Sequence, residues 1–133
     1  MDKLTRYRGA VKKCLLDWYE YLGRATPKYG SEVDCLIDDT RDNYMLAYSG
    51  WYENKRQRKD FIYLRIRDGK IWIENDESDD PVAEELLRLG VPMEDIVLAF
   101  CPPETRYESG FGVRGPFAAP EPVEREIVSP TAS

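Results

Sequence analysis

Phe61-Ile62-Tyr63-Leu64-Arg65-Ile66-Arg67-Asp68-Gly69-Lys70-Ile71-Trp72-Ile73 is the stretch that decides the fold. Apolar and polar residues alternate on both sides of Asp68-Gly69, the period of a strand with one buried face. Asp-Gly is the two-residue connection of a tight hairpin, because both central positions need positive φ. Upstream, Tyr44-Met45-Leu46-Ala47-Tyr48-Ser49-Gly50-Trp51 is rich in aromatics and reads as another strand. The charged stretch from Glu53 to Asp60 reads as the loop between them. Further back, Val33, Cys35 and Ile37 form an alternating strand, closed by the turn Asp38-Asp39-Thr40-Arg41-Asp42-Asn43. These hairpin connections predict an antiparallel meander.

Helices flank the meander on both sides. Leu4, Tyr7, Val11, Cys14, Leu15, Trp18 and Leu22 recur at spacings of three and four, which places them on one helical face. Gly23 offers a stop and Pro27 marks the loop beyond it. Downstream, Asp80-Pro81 supplies an N-cap and a first-turn proline for a shorter helix, with Val82, Leu86 and Leu89 as its buried stripe. Val91 to Asp95 forms a turn, and Ile96 to Phe100 a last short strand. The expected fold is α+β: an antiparallel sheet of about four or more strands packed against a long N-terminal helix and a shorter second one. Leu15 and Trp18 are expected to be buried against that sheet.

The 133 residues suit one domain, and 42% hydrophobic content suits one core. Six of the nine prolines fall in residues 102–133, so the chain divides into a domain over 1–113 and a Pro-rich flexible tail over 114–133. No apolar run approaches the ~20 residues of a membrane span and no signal peptide opens the chain, which points to the cytoplasm. Histidine is absent, which removes Ser-His and Cys-His nucleophile pairs and HExxH zinc sites. Cys14, Cys35 and Cys101 are widely spaced and odd in number, as expected of reduced thiols and not of a disulfide framework. No cofactor is called for.

Net charge is -6, the wrong sign for a protein that grips phosphate over its whole surface. Lys55, Arg56, Arg58 and Lys59 are nevertheless packed into five positions at the tip of a hairpin, with Arg65 and Arg67 beyond. Such a tip suits DNA phosphates or an acidic partner; the plainer reading is a solvated loop that keeps a sheet edge soluble. Gly110 to Gly115 matches GxGxxG literally, but Pro116 follows where a dinucleotide site needs a helix. The seven acids from Glu74 to Glu85 lack EF-hand spacing and complement a helix N-terminus without any metal. Arg106, Tyr107 and Phe111, placed after Pro102-Pro103, have the composition of an interface anchor, or else cover the domain's own sheet.

Several blocks together resemble the XisI family, the controlling factors for excision of the fdxN element in cyanobacteria. They are Met1 to Arg8, Arg41-Asp42-Asn43-Tyr44 with Gly50-Trp51, and Asp68 to Ile73. The run Glu84-Glu85-Leu86, Leu89-Gly90-Val91-Pro92, Glu94 to Leu98, Phe100, Pro102-Pro103, Arg106-Tyr107 and Gly110-Phe111 extends the resemblance to about residue 113. Cys101 stands where many members carry a histidine. The resemblance implies a non-catalytic accessory factor that acts with an XisH-like nuclease partner and an XisF-like recombinase. On this reading Arg106, Tyr107 and Phe111 bind the partner. The alternative is a direct DNA-binding recombination directionality factor, with Lys55, Arg56, Arg58 and Lys59 as its contacts. Homo-oligomerisation stays open.

Overall fold

The structure, a computed structural model, describes residues 2–25 and 32–102. Its elements are α1 (Lys3–Ala25), β1 (Glu32–Asp38), β2 (Asn43–Tyr52), β3 (Lys55–Arg67), β4 (Lys70–Asp76), α2 (Val82–Arg88), a 3-10 turn (Met93–Asp95) and β5 (Ile96–Leu98). The five strands lie in sequence order in one sheet. The first four pair antiparallel, as the meander reading expects. The fifth differs: β5 runs parallel to β4, with Ile71 opposite Ile96. A parallel neighbour needs a crossover, and α2 supplies it.

The alternation read in the sequence sets the core. Tyr44 and Leu46 of β2, Ile62, Leu64 and Ile66 of β3, and Ile71 and Ile73 of β4 are buried on one sheet face. Tyr7, Val11, Cys14 and Leu15 of α1 and Val82 and Leu86 of α2 close over them. At ~25 cal/mol per Å² of apolar surface, each fully buried Leu or Ile contributes about 1.5–3 kcal/mol. Trp18 is half-buried, not fully buried, and meets Phe61 edge-on with ring centroids 5.8 Å apart. Leu4, in the first turn of α1, is left exposed. No helix among the described residues is long and apolar enough to cross a membrane.

Three local expectations are corrected. α1 continues through Gly23 to Ala25, because Leu22 still packs on the core and Gly23 keeps a helical φ. The cap of α2 is not Asp80: the Val82 N–H donates to Asp76 Oδ2 at 2.7 Å, so the acid at the end of β4 reaches over the intervening loop. The Glu53–Asp60 loop shrinks to a turn at Glu53-Asn54, with φ 50° and 66°. Lys55 to Asp60 belong to β3 instead. The predicted turn at Asp68-Gly69 is present, with φ 55° and 72°.

Candidate functional site

Among the described residues β2 and β3 outrun their neighbours: β1 accompanies β2 as far as the Glu32–Ser49 pair, and β4 accompanies β3 to the Ile62–Asp76 pair. Beyond Ser49 and Arg58 the two strands continue as a two-stranded arm, with Gly50 opposite Gln57, Trp51 opposite Arg56 and Tyr52 opposite Lys55. Three residue pairs at ~3.4 Å per residue, plus the turn, carry its tip roughly 10 Å past the other described strands.

A β-bulge sits at the root of the arm. Leu46 pairs with Ile62 while Ala47 pairs with Asp60, so Phe61 is the extra residue. It turns toward the helices and meets Trp18. Beyond the bulge, alternation puts Trp51, Arg56 and Arg58 on the sheet face away from the helices, and Tyr52 and Lys55 on the other. Trp51 is 53% exposed and Tyr52 66%. The Arg56 guanidinium lies over the Trp51 ring, 5.4 Å from its centroid. At the foot of the arm, Leu22, Val33, Tyr48, Phe61, Lys59 and Glu77 line a groove of about 290 Å³.

Most of the described bases away from the arm are ion-paired. Among the described residues Lys3, Arg8, Lys12, Lys13, Arg24, Arg41, Lys59, Arg65 and Arg88 each lie within 4.0 Å of a carboxylate. Lys59, one of the four bases singled out from the sequence, is therefore spoken for: Glu77 lies 2.8 Å away, raising the lysine's pKa and lowering the glutamate's. Lys55, Arg56 and Arg58 hold no carboxylate among the described residues. Sequence reasoning found these bases but missed Trp51 and Tyr52 as their companions. The signal was present in Glu53-Asn54, whose residues tolerate a tight turn between two ribbon strands.

A second cluster joins residues that carry the family resemblance. Arg8 Nε donates to Asp42 Oδ1 at 2.7 Å, and Lys12 pairs with Asp39 at 2.9 Å. The buried Tyr44 hydroxyl donates to Asp39 at 2.7 Å and to Asp42 at 3.1 Å. Arg67 donates to the carbonyls of Arg41 and Asp42 and to Asn43 Oδ1. These bonds clasp α1 and β3 to the β1–β2 turn. Burial first, then the hydrogen bonds to Asp39 and Asp42, push the Tyr44 phenol well above its usual pKa. Tyr7 is raised likewise, by burial and by donating to Asp95, which also pairs with Lys3. A phenol so held is a structural donor and is poorly placed to release a proton.

The acidic run is distributed over structural tasks. Glu74 pairs with Arg65, Glu77 with Lys59, and both Asp80 and Glu85 with Arg88. Among the described residues no group of three or more His, Cys, Asp or Glu side chains converges as a metal site. Burial pushes the Cys14 thiol up to about 12, with Glu85 and Asp17 adding to the shift. Among the described residues Cys14, Cys35 and Cys101 form no disulfide. Arg106, Tyr107, Phe111 and the Gly110–Gly115 run lie outside the described residues. The described chain stops at Pro102, just short of that region; Phe100, two residues beyond β5, is 55% exposed.

Comparison with known proteins places these features in context. The XisI protein family model matches residues 1–113. The crystal structure of the fdxN element excision controlling factor XisI from Anabaena variabilis ATCC 29413 is 33% identical, with a TM-score of 0.73, covering 85% of this chain and all of that one. A XisI-like protein from the same organism is 34% identical, with a TM-score of 0.76, covering 84% of this chain and 99% of that one. No curated protein matches the chain.

Proposed function

Because the chain belongs to the XisI family, we propose that it is a non-catalytic accessory factor controlling site-specific DNA excision, acting through contacts with an XisH-like nuclease and an XisF-like recombinase. The observation that carries this reading is the match through residues 1–113, joined to a relative, matched over its whole length, that is named an excision controlling factor. Physical features support it. General acid–base work near neutral pH needs carboxylates moved far above their usual value of ~4, and those most often satisfy a proton-transfer role only when they face a common cleft. Here Asp39 and Glu77 are shifted downward by their partners, and within the 74–85 run Asp76 caps α2 while Glu74, Glu77, Asp80 and Glu85 hold ion pairs.

Contact with the nuclease partner is assigned to the segment that begins at the exposed Phe100 and continues through Arg106, Tyr107 and Phe111. Pro102-Pro103 restricts the backbone ahead of binding, which reduces the entropy lost on docking. Arg106→Ala and Tyr107→Ala should each weaken capture of the XisH-like partner about thirtyfold, the effect of removing a ~2 kcal/mol anchor. Thermal melts of the same variants separate contact from folding. Folded variants that bind the partner as tightly as the parent would place the contact elsewhere.

A further inference from the structure

We infer that the β2–β3 arm is a DNA-contacting finger that enters a groove of duplex DNA, with Lys55, Arg56 and Arg58 on phosphates and Trp51 and Tyr52 against the groove walls. The inference goes beyond the protein-partner reading and does not depend on it, since one surface can hold a partner while another touches DNA.

Three observations carry it. The unpaired bases are concentrated: among the described residues Lys55, Arg56 and Arg58 have no carboxylate within 4.0 Å, on a chain of net charge -6 where most other described bases are neutralised in place. The arm also holds them away from that acidic body. Its reach of roughly 10 Å is about one Debye length at physiological salt, so phosphates at the tip feel little of the repulsion from the body. Finally, both faces are equipped, Trp51 with Arg56 and Arg58 on one and Tyr52 with Lys55 on the other. A finger laid flat on a protein surface uses one face. A finger enclosed on both sides uses two, and the B-DNA major groove, about 12 Å wide, admits a two-stranded β-ribbon. The deep, narrow major groove of A-form RNA does not. Lys59 is left out, being engaged with Glu77.

The test is fluorescence anisotropy of a labelled 20-base-pair duplex titrated with the full chain from 50 to 200 mM salt. Three phosphate contacts give a slope of log K on log salt near ~-2.7, an affinity loss of about 40-fold over that range. Lys55→Gln with Arg58→Gln removes two contacts and should bring the slope to about -0.9, a loss of only ~3.5-fold. The charge-matched control Lys13→Gln with Arg24→Gln, on exposed positions of α1, should keep the parent slope. Trp51→Ala should weaken binding with the slope unchanged. A parent slope near zero, or equal slope losses in the arm and control variants, overturns the inference. So does tighter binding of the single-stranded oligonucleotide than of the duplex. Arm variants that keep the DNA titration but lose capture of the XisH-like protein would make the arm a protein-docking surface instead.

Discussion

Tyr44→Phe isolates the clasp that ties α1 to the β1–β2 turn. The substitution removes one hydroxyl, fully buried, that donates to Asp39 at 2.7 Å and Asp42 at 3.1 Å. Hydrogen bonds to charged acceptors contribute ~1.5–3 kcal/mol, and leaving an acceptor unsatisfied adds to the loss. Neither carboxylate is orphaned here, because Lys12 keeps Asp39 and Arg8 keeps Asp42. The expected cost is therefore the lower figure, ~1.5 kcal/mol, or roughly 5–8 °C in Tm for a domain of this size. Urea unfolding should show a lower midpoint with an unchanged m-value, since no surface is newly exposed in the native state. The loss should also depend on pH. Lys12 first, and Tyr44 next, hold the Asp39 carboxyl below its ordinary 3.8, so its contribution is complete above that value and fades as pH falls through the folded pKa. The gap between parent and variant should narrow in acid. A variant that melts within ~1 °C of the parent at pH 7, or a gap as wide in acid as at neutrality, refutes the energetic role given to this hydroxyl.

Tyr7 and Tyr44 both have raised phenolic pKa values, so they disfavour the ionised form in the folded state. Stability from them is complete below ~10 and lost as pH rises above it; ultraviolet titration should show two of the nine tyrosines ionising only as the protein unfolds. Asp76→Ala removes the acceptor for the Val82 N–H and for the Ser78 N–H. It should cost ~1 kcal/mol, the usual value of an N-cap, whereas Asp80→Ala, which leaves that bond in place, should cost less in the same thermal melts.

The α1 face and the Asp68-Gly69 hairpin were legible because each rests on a local signal: a 3.6-residue apolar period, and a turn whose two positive φ angles few residue pairs accept. The arm was not. Residues 51–58 are all exposed, so the alternation that announces a half-buried strand is missing and the bases read as loop. The parallel placement of β5 depends on how α2 crosses the sheet, which no residue of Ile96–Leu98 encodes. In the clasp, Arg8 and Asp42 were each visible as parts of a family resemblance, but they stand 34 positions apart and meet only once α1 lies on the sheet. Asp80 was read as the cap of α2 from adjacency alone. The true acceptor, Asp76, comes from the preceding strand, where the β3–β4 bulge between Tyr63 and Leu64 shifts the register before the loop begins.

The central claim is tested most directly by reconstituted excision, with purified XisH-like and XisF-like proteins acting on a plasmid that carries the element, in the presence and absence of this chain. The chain alone should leave the DNA uncut with Mg²⁺ present, and adding it to the other two should change the yield of excised circle. Cleavage by the chain alone, or a yield that is the same with and without it, would contradict the account.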